Sequence, residues 1–292
     1  MAFSMYGGLT MGATAALLVH GTPEQKKTYV PKMIAGEWTG TMNLTEPQCG
    51  TDLGLLRTKA VRQADGSFKI TGTKIFISAG EHDLTENIIH LVLARIEGAP
   101  AGIKGVSLFV VPKVLVNGDG SLGARNGVSC GSIEHKMGIR ASATCVMNFD
   151  EAVGFMIAEP NKGLEAMFTF MNTARIGTAI QGVAHAELSF QGAVAYAKDR
   201  RSMRALRGKQ EPEKVADALI HHADVRRMLL QQKAYVEGGL ALCLYCAKLV
   251  DEKATAEDAR QKEEIGLLLE ILTPIAKAWP AEFCLEANKL AI

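Results

Sequence analysis

The spacing of hydrophobic residues changes twice along the chain and divides it into three zones. Up to about Trp38 the apolar residues recur at helical spacing, first in the run MYGGLTMGATAALLVHG and then in a second short helix. Gly21 ends the first helix, and Thr22 caps the second, with Pro23 at its first position and Gln25 three residues after the cap. Two short helices cannot form a core alone, so this zone needs packing partners from elsewhere.

The second zone runs from about Gly40 to Ala158 and has the period of β-strands. Its short runs are rich in β-branched and aromatic residues: FKITGTKIFIS, NIIHLVLARI, GVSLFVVPKVLV and ATCVMNFDEAV. Turn-forming pairs such as Asp65-Gly66 separate these runs. No long helical pattern interrupts them, so the zone predicts an antiparallel sandwich or barrel rather than alternating βαβ units.

The third zone starts near Asn161 and has a helical pattern to its last residue. It opens with one long amphipathic stretch, GLEAMFTFMNTARIGTAIQGVAHAELSFQGAVAYAKDRR. A charged break with Gly and Pro follows at residues 207–212, and two further helices are predicted at about 213–253 and 256–292. The zones together predict an α+β multidomain protein, divided into residues 1–39, 40–158 and 159–292.

Composition excludes several classes of protein. A chain of 292 residues can bury a large core, and with 48% hydrophobic and 22% charged residues it is not expected to be disordered. Lys and Arg number 32 against 31 Asp and Glu, a balance that argues against a whole surface built for nucleic acid. No apolar run reaches the roughly 18 residues that a membrane span needs, and the first residues contain no basic segment typical of a secretory signal.

The six cysteines are too sparse for a disulfide scaffold. The only CxxC motif joins Cys243 and Cys246 within the run GGLALCLYCAKLV, which is typical of a buried helix. Two packed free thiols are therefore favoured over a redox or metal-binding pair. The seven histidines show no HExxH spacing, so a metal catalyst is not expected.

The run GDGSLG at residues 118–123 matches the GxGxxG motif and follows an apolar strand. A dinucleotide loop would open a helix, and an acidic residue would follow on a second strand about 20 residues later. The sequence after the motif, ARNGVSCGS, is not helical. A hairpin loop is therefore favoured over a dinucleotide site.

Two segments in the β zone have side chains that suit a planar heterocycle. MNLTEPQCGTD, at residues 42–52, leads from a strand into turns that present backbone N–H groups and hydroxyls in one direction. KIFISAG, at residues 74–80, places Phe76 and Ser78 on one face of a strand, where they could flank a flavin ring. Taken alone, a plain turn and an ordinary strand with a core Phe remain the favoured interpretations.

A dense positive cluster, YAKDRRSMRALR, ends the first long helix at residues 196–207. One interpretation is that these cations complement the helix dipole. A second is a phosphate clamp, because Arg binds pyrophosphate with bidentate geometry. Contact with nucleic acid is the third and least favoured, because flanking aromatics and a recognition helix are missing from the sequence.

Taken together and in order, these motifs resemble the acyl-CoA dehydrogenase family along the whole chain. LTEPQCGTD resembles the signature at the start of the family's middle β-domain, and KIFISAG resembles its second flavin strand, with Phe76 where Trp is common. HKMGIRASATCVMNFDEA resembles the closing strands, TARIG the start of the C-terminal bundle, and DRRSMRAL the segment that contacts a neighbouring subunit's FAD. The charged insertion after Leu206 is similar to the larger subgroup that includes methylmercaptopropionyl-CoA dehydrogenases.

The resemblance implies a remnant of an N-terminal helical domain at 1–39, a middle β-domain at 40–158 and an incomplete C-terminal helical bundle at 159–292. It implies an FAD-dependent enzyme of fatty acid metabolism that removes an α-proton and a β-hydride from an acyl-CoA. Electron-transfer flavoprotein would be a partner, and the protein would be a cytoplasmic homo-oligomer. The positions carried over as cofactor-binding are Met42, Leu44, Thr45, Gly50, Thr51, Phe76, Ser78, Arg200, Ser202 and His221. Those carried over as acyl-CoA-binding are Thr51, Asn172 and Arg175.

The sequence departs from the family at its catalytic base. The usual Glu follows a Gly-rich segment late in the bundle, which this sequence does not reach, and some relatives place it just before the Arg that matches Arg175, where this chain has Ala174. Glu165 and Glu187 are near in sequence but fit neither position. We therefore expect a piece of a longer protein, or one whose missing helices come from elsewhere, with weak FAD retention and little or no turnover of acyl-CoA. The alternatives are a DNA-binding member of the family, suggested by the basic cluster, and a structural remnant without ligand.

Overall fold

The computed structural model describes residues 4–292, except the side chains of Ser4, Asn172 and Thr173. The chain forms two compact units, of which the first extends to Met171 and the second runs from Asn172 to Ile292. Each unit has its own buried core. The predicted combination of helices and a sheet is confirmed, whereas the division at residues 39 and 158 stays a prediction.

The first unit begins with helices α1 (Ser4–His20) and α2 (Pro23–Ala35). The predicted capping box is present: the Gln25 backbone N–H donates to Thr22 Oγ1 at 3.2 Å, and the Thr22 N–H donates to Gln25 Oε1 at 3.0 Å. Gly36 ends α2 in the left-handed conformation, with φ at 76°, and its N–H bonds to the last helical carbonyls. Both ends of α2 therefore follow from residues within one turn of them.

Nine strands follow within the described residues, seven of them in one sheet. In chain order they are β1 (Trp38–Asn43), β2 (Lys59–Arg62), β3 (Phe68–Ser78), β4 (Asn87–Ile96), β5 (Val106–Pro112), β6 (Val114–Val116), β7 (Leu122–Arg125), β8 (Val128–Ile133) and β9 (Thr144–Ile157). The sheet order is β1-β4-β2-β3-β9-β5, β8 pairs with β9, and β4 also pairs with β5. Strand pairing can therefore be followed from β4 through β2, β3, β9 and β5 and back to β4.

The prediction of an antiparallel arrangement was wrong for two strand pairs. β1 and β2 each run parallel to β4, in register Trp38 with Asn87 and Lys59 with Arg95. The other pairings of the sheet are antiparallel. A parallel pair needs a long connection, and the chain between β1 and β4 supplies it with β2 and β3 rather than with a helix. The finer description as a barrel or sandwich stays a prediction.

The β4 strand separates two hydrophobic cores. Leu91 and Leu93 face a core shared with the N-terminal helices, where Leu17 and Trp38 are also fully buried. Alternate residues such as Val92 face a second core, built with Phe109, Met147, Phe149 and Ile70. Because both faces of β4 are covered, its residues are buried from Asn87 to Ala94 without the alternation of a half-exposed strand.

The run GDGSLG is a hairpin loop, as predicted. It connects β6 to β7, which pair antiparallel with Val116 opposite Leu122. The Asn117 N–H donates to the Ser121 carbonyl at 2.9 Å, and Gly120 occupies a left-handed position in the turn. No helix begins at this loop, so it lacks the geometry of a dinucleotide-binding turn.

The second unit consists mainly of three long helices. The short helix α3 (Gly163–Met167) and a single 3₁₀ turn, which belong to the first unit, precede α4 (Met171–Asp199), so the predicted long stretch is interrupted before Met171. α5 (Ala223–Thr255) and α6 (Ala259–Ala291) complete the unit. Cys243 and Cys246 are buried free thiols on α5, as predicted.

The predicted start of α5 near residue 213 was wrong, because the residues before Ala223 form a loop. The helix begins at Ala223, and the residues before it pair with the chain that follows α4: Arg201 forms a bridge with Ala218. The Ser202 N–H donates to the Asp217 carbonyl, and the Asp217 N–H donates to the Met203 carbonyl. These hydrogen bonds use backbone N–H and carbonyl groups that would otherwise pair inside a longer helix.

Candidate functional site

The turn after β1 presents the first group of predicted cofactor residues. Met42 is almost fully buried in the core beneath the N-terminal helices, and Leu44 packs against the same core. Thr45 is half-buried, and Gly50 and Thr51 are exposed. A Cβ added to Gly50 would lie 3.9 Å from Thr45 Cγ2, so the two ends of the turn are close.

The second group lies on β3 beside this turn. The Ile75 N–H donates to the Thr45 carbonyl at 3.0 Å, which brings the two predicted segments together. Ile77 is buried, whereas Ser78 is half-buried and the Phe76 side chain is 60% exposed. Phe76 has φ at 60°, and the pairing of β3 with β9 shifts register between Lys74 and Ile77. An aromatic side chain and a hydroxyl therefore lie outside the core, next to the turn.

A buried ion pair joins the two segments. Lys74 Nζ lies 2.8 Å from Glu46 Oε1, and the two side chains are 0% and 3% exposed. Burial raises the pKa of Glu46, but the charge and hydrogen bond of Lys74, together with the hydrogen bonds from Thr58 and the Arg57 N–H, outweigh it and lower that pKa to about 2. Glu46 is therefore a carboxylate at neutral pH, within hydrogen-bond reach of an ammonium group.

A polar network supports β1 from its other face. Asn43 Nδ2 donates to Thr41 Oγ1 at 2.9 Å, and Thr41 Oγ1 lies 2.7 Å from His90 Nδ1 on β4. All three side chains are fully buried. Burial, with a smaller effect of the Lys113 charge, lowers the pKa of His90 to about 3, so the imidazole is neutral. Met42, between Thr41 and Asn43, therefore has a fixed backbone.

The third group lies in the second unit, in the loop between α4 and α5. Asp217 organises this loop: its carboxylate accepts hydrogen bonds from the backbone N–H groups of Ala205, Gln210 and Glu211 and from the Arg204 guanidinium. The bond to the Ala205 N–H is the largest effect that lowers the pKa of Asp217. The loop is thus a folded element held by one carboxylate.

This loop brings the three predicted residues Arg200, Ser202 and His221 into one neighbourhood. The Leu219 N–H donates to the Arg200 carbonyl at 2.9 Å, so the strand-like pairing places the turn containing His221 beside Arg200. His222 Nε2 lies 2.9 Å from the Ser202 carbonyl oxygen. His221 Nε2 lies 3.6 Å from Glu211 Oε1 in the same loop, and its role at a cofactor stays a prediction.

The predicted acyl-CoA residues are divided between the two units. Thr51 is in the first unit, and Arg175 is half-buried on α4 in the second. The side chain of Asn172 lies outside the described residues. Glu165 is exposed and lies 3.4 Å from Lys162, and Glu187 accepts a hydrogen bond from Gln191.

Glu46, Lys74 and Asp217 are not among the residues with a role predicted from the sequence. A signal was present for Lys74, because a single cation inside the run KIFIS is unusual for a strand with buried neighbours. Asp217 left no such signal, since an aspartate in a charged loop is ordinary.

In the part of the chain that the structure describes, His, Cys, Asp and Glu side chains form no group of three that could hold a metal ion. The helices described here include none with the length and apolar character to cross a membrane.

Comparison with known proteins identifies the family. Residues 41–152, which contain both segments of the first unit, match the model of the acyl-CoA dehydrogenase middle domain. The chain belongs to the acyl-CoA dehydrogenase family.

Among relatives, it is 46% identical to the 3-methylmercaptopropionyl-CoA dehydrogenase of Ruegeria pomeroyi, over 100% of this chain and 49% of that protein. It is 42% identical to the broad-specificity linear acyl-CoA dehydrogenase FadE5 of Mycobacterium tuberculosis, over 92% of this chain and 45% of that protein. The chain thus spans about half the length of these relatives.

A solved structure shares the fold. Caenorhabditis elegans ACDH-11, crystallised in complex with C11-CoA, aligns with a TM-score of 0.78 over 99% of this chain and 46% of that one. The sequence identity is 20%, so this likeness concerns the fold alone.

Proposed function

We propose that this chain forms the flavin-binding part of an acyl-CoA dehydrogenase, which removes hydrogen from the α and β carbons of an acyl-CoA thioester. FAD, when bound, supplies the acceptor for the β-hydride. The observation that carries the proposal is the exposed Phe76 ring, held beside the Gly50–Thr51 turn by the hydrogen bond from the Ile75 N–H to the Thr45 carbonyl.

The residues present fit an isoalloxazine ring. A phenyl ring that is 60% exposed, in a strand whose other residues are buried or half-buried, offers an apolar surface for a planar heterocycle. The hydroxyls of Thr45 and Ser78 and the backbone of the turn offer donors for the carbonyl and ring-nitrogen acceptors. The space at Gly50 is open, with Thr45 Cγ2 the nearest heavy atom at 3.9 Å. Met42 and Leu44 would anchor this surface through their packing in the core.

The remaining predicted contacts belong to the same proposal. Arg200, Ser202 and His221, which the loop brings into one neighbourhood, would hold the FAD of a partner copy in a homo-oligomer. Thr51 of the first unit, and separately Asn172 and Arg175 of the second, are proposed as acyl-CoA contacts. Electron-transfer flavoprotein would accept the electrons, and we propose the cytoplasm as the location.

A test of cofactor binding compares two Phe→Leu variants of the purified chain. FAD is added and its visible spectrum and fluorescence are titrated. We expect Phe76→Leu to weaken FAD binding about two- to tenfold, because an aromatic stacking contact contributes about 0.5–1.5 kcal/mol. Phe155→Leu, at a 37% exposed position on β9, is the matched control and should bind as wild type does. Equal affinities in both variants, or a wild-type chain that binds no FAD, would contradict the proposal.

A second measurement tests whether this chain supplies a base. The position before Arg175 is Ala174, and neither Glu165 nor Glu187 matches a family position. We therefore expect no bleaching of the bound flavin when an acyl-CoA is added anaerobically. Rapid bleaching would show that another carboxylate removes the α-proton. The expectation that this chain is inactive would then be wrong.

The structure favours no second function. DNA binding was suggested by the basic cluster, but two of its arginines are already paired, Arg201 with Glu211 at 2.8 Å and Arg204 with Asp217 at 3.2 Å. Those guanidinium groups stabilise the loop instead of presenting free charge for phosphates.

A further inference from the structure

The buried pair of Glu46 and Lys74 joins the two proposed flavin-binding segments and is shielded from solvent. Glu46 follows Thr45 directly, and Lys74 comes two residues before Phe76. Neither residue is among the proposed cofactor contacts. Their side chains are 3% and 0% exposed, respectively. Their position raises the question of what a buried charge pair contributes here.

Every oxygen of the Glu46 carboxylate is used for hydrogen bonds within the protein. Oε1 accepts from Lys74 Nζ at 2.8 Å, from Thr58 Oγ1 at 2.5 Å and from the Thr58 N–H at 3.0 Å. Oε2 accepts from the Arg57 N–H at 2.7 Å and from Gln48 Nε2 at 2.6 Å. The carboxylate thus joins the turn after β1, the residues before β2, and β3.

The ammonium group extends the same connection toward the cofactor residues. Lys74 Nζ donates to the Leu44 carbonyl at 3.0 Å, and the next residue, Ile75, donates its N–H to the Thr45 carbonyl. Two consecutive bonds therefore fix the carbonyls of Leu44 and Thr45 to β3. β1 itself ends at Asn43, so ladder bonds of the sheet do not supply this support.

The backbone beyond Lys74 requires such support. Phe76 has φ at 60°, a conformation that a bulky residue adopts only where the surrounding structure holds it. The register shift in the β3–β9 pairing spans the same residues, with Ile77 buried on the far side. Phe76 therefore lies between two buried residues of the strand, Lys74 and Ile77.

Stability of folding alone does not explain an ion pair at this place. Taking two charges out of water is costly, and replacing both with neutral residues of similar size is often neutral or stabilising. Removing one partner leaves the other uncompensated and is strongly destabilising. A pair that only stabilises and a pair that positions therefore differ in the behaviour of the double variant.

We propose that the Glu46–Lys74 pair is a positioning element that holds the turn of Leu44 and Thr45 and the strand of Phe76 and Ser78 at the separation the flavin ring needs. The proposal rests on the proposed function. Neither residue touches the cofactor; each acts through the backbone of its neighbours.

The experiment uses the full chain with Glu46→Gln, Lys74→Met and the double variant, and Lys69→Met as the matched control. Lys69 is on the same strand, but its partner Glu151 is exposed. Thr58→Val, similar in shape, removes only one hydroxyl bond to the carboxylate and keeps both charges. The measurements are the thermal midpoint, the Kd for FAD, the visible circular dichroism of bound FAD, and hydrogen–deuterium exchange at residues 44–51 and 74–79.

We expect each single charge substitution to lower the thermal midpoint, and the double variant to recover most of that loss. In the double variant the Kd for FAD should stay at least tenfold above wild type, with an altered flavin dichroism band and faster exchange in both segments. Thr58→Val should raise the Kd about threefold, because the carboxylate loses one of its hydrogen bonds. Lys69→Met should match wild type in every measurement.

Two results would overturn the positioning role. The first is a double variant with wild-type Kd and wild-type exchange. The second is a Thr58→Val variant that folds and binds FAD as wild type does while the double variant fails to fold. If wild type binds no FAD, the proposed function fails, and exchange in Thr58→Val and the double variant then decides whether the pair holds the two segments. Unchanged exchange there overturns the pair as a positioning element.

Discussion

His90 makes the stability of the first unit depend on pH in a window where few other groups titrate. Its imidazole is fully buried on β4, bonded to Thr41 and 6.0 Å from the Phe149 ring between centroids. Burial lowers its pKa to about 3, against 6.5 for an unperturbed histidine. Between these two pKa values His90 stays neutral in the folded protein, whereas it binds a proton in the unfolded chain.

The sign and size follow from this difference. Between pH 6.5 and about 3 the unfolded state binds one more proton at this residue, so the free energy of unfolding falls as pH falls. The slope is about 1.4 kcal/mol per pH unit, which makes about 2 kcal/mol between pH 6.5 and pH 5. Glu46, whose pKa is lowered to about 2, contributes in the same direction, but only below about pH 4.5. His82, whose pKa is lowered mainly by burial, adds to the slope in the same window.

The assay is urea unfolding at several pH values from 7.5 to 5, followed by the fluorescence of the buried Trp38. A Trp279→Phe background removes the signal of the other tryptophan, which lies in the second unit. We expect His90→Gln to lower the slope of unfolding free energy against pH by about 1.4 kcal/mol per unit. His135→Gln, at an exposed position, is the control and should keep the wild-type slope.

The slope, rather than the absolute stability, decides the outcome. Loss of the bond to Thr41 will destabilise His90→Gln at every pH, so a lower midpoint proves nothing about titration. If the slopes of wild type and His90→Gln coincide between pH 6.5 and pH 5, then His90 accepts a proton in the folded state, and the inference from its burial is wrong.

Three further predictions concern single interactions. Thr22→Ala removes half of the capping box with Gln25 and should cost about 1 kcal/mol, measured as a lower thermal midpoint, whereas Thr22→Ser should retain it. Gly163→Ala should cost about 1–3 kcal/mol in urea unfolding, because its Cβ would lie 2.4 Å from the Ser107 carbonyl carbon, and an unchanged midpoint would contradict the close packing. Asp217→Asn should accelerate proteolysis between α4 and α5 several-fold while helix content by circular dichroism stays unchanged; equal cleavage rates would show that the carboxylate does not hold the loop.

Local features of the fold could be predicted because their causes lie within a few residues. The capping box needs only Thr22 and Gln25, three positions apart, and the hairpin at Asn117 needs only its own turn residues. The β-rich run NIIHLVLARI indicated a strand, and β4 coincides with it. Order and type of most elements followed from such signals.

The pairing of strands and the start of α5 could not be predicted in the same way. β1 and β4 pair in parallel across a long stretch of chain, which no local pattern encodes. Helix α5 begins at Ala223 because Asp217 binds backbone N–H groups up to 12 residues before it, and this withdraws the preceding residues from helix formation. Both outcomes depend on contacts distant in sequence.

The candidate site shows the same division. The two motifs that contain Thr45 and Phe76 were visible in the sequence as ordered segments, and the family match over residues 41–152 agrees with them. What joins them, the bond between Glu46 and Lys74 across 28 residues, required the sheet to place β3 beside the turn. Sequence alone determined which chemical groups are available, since side-chain type and local turns are written in it. Only the tertiary structure decided which of them meet, because burial and strand pairing set the distances on which hydrogen bonds and charge interactions depend.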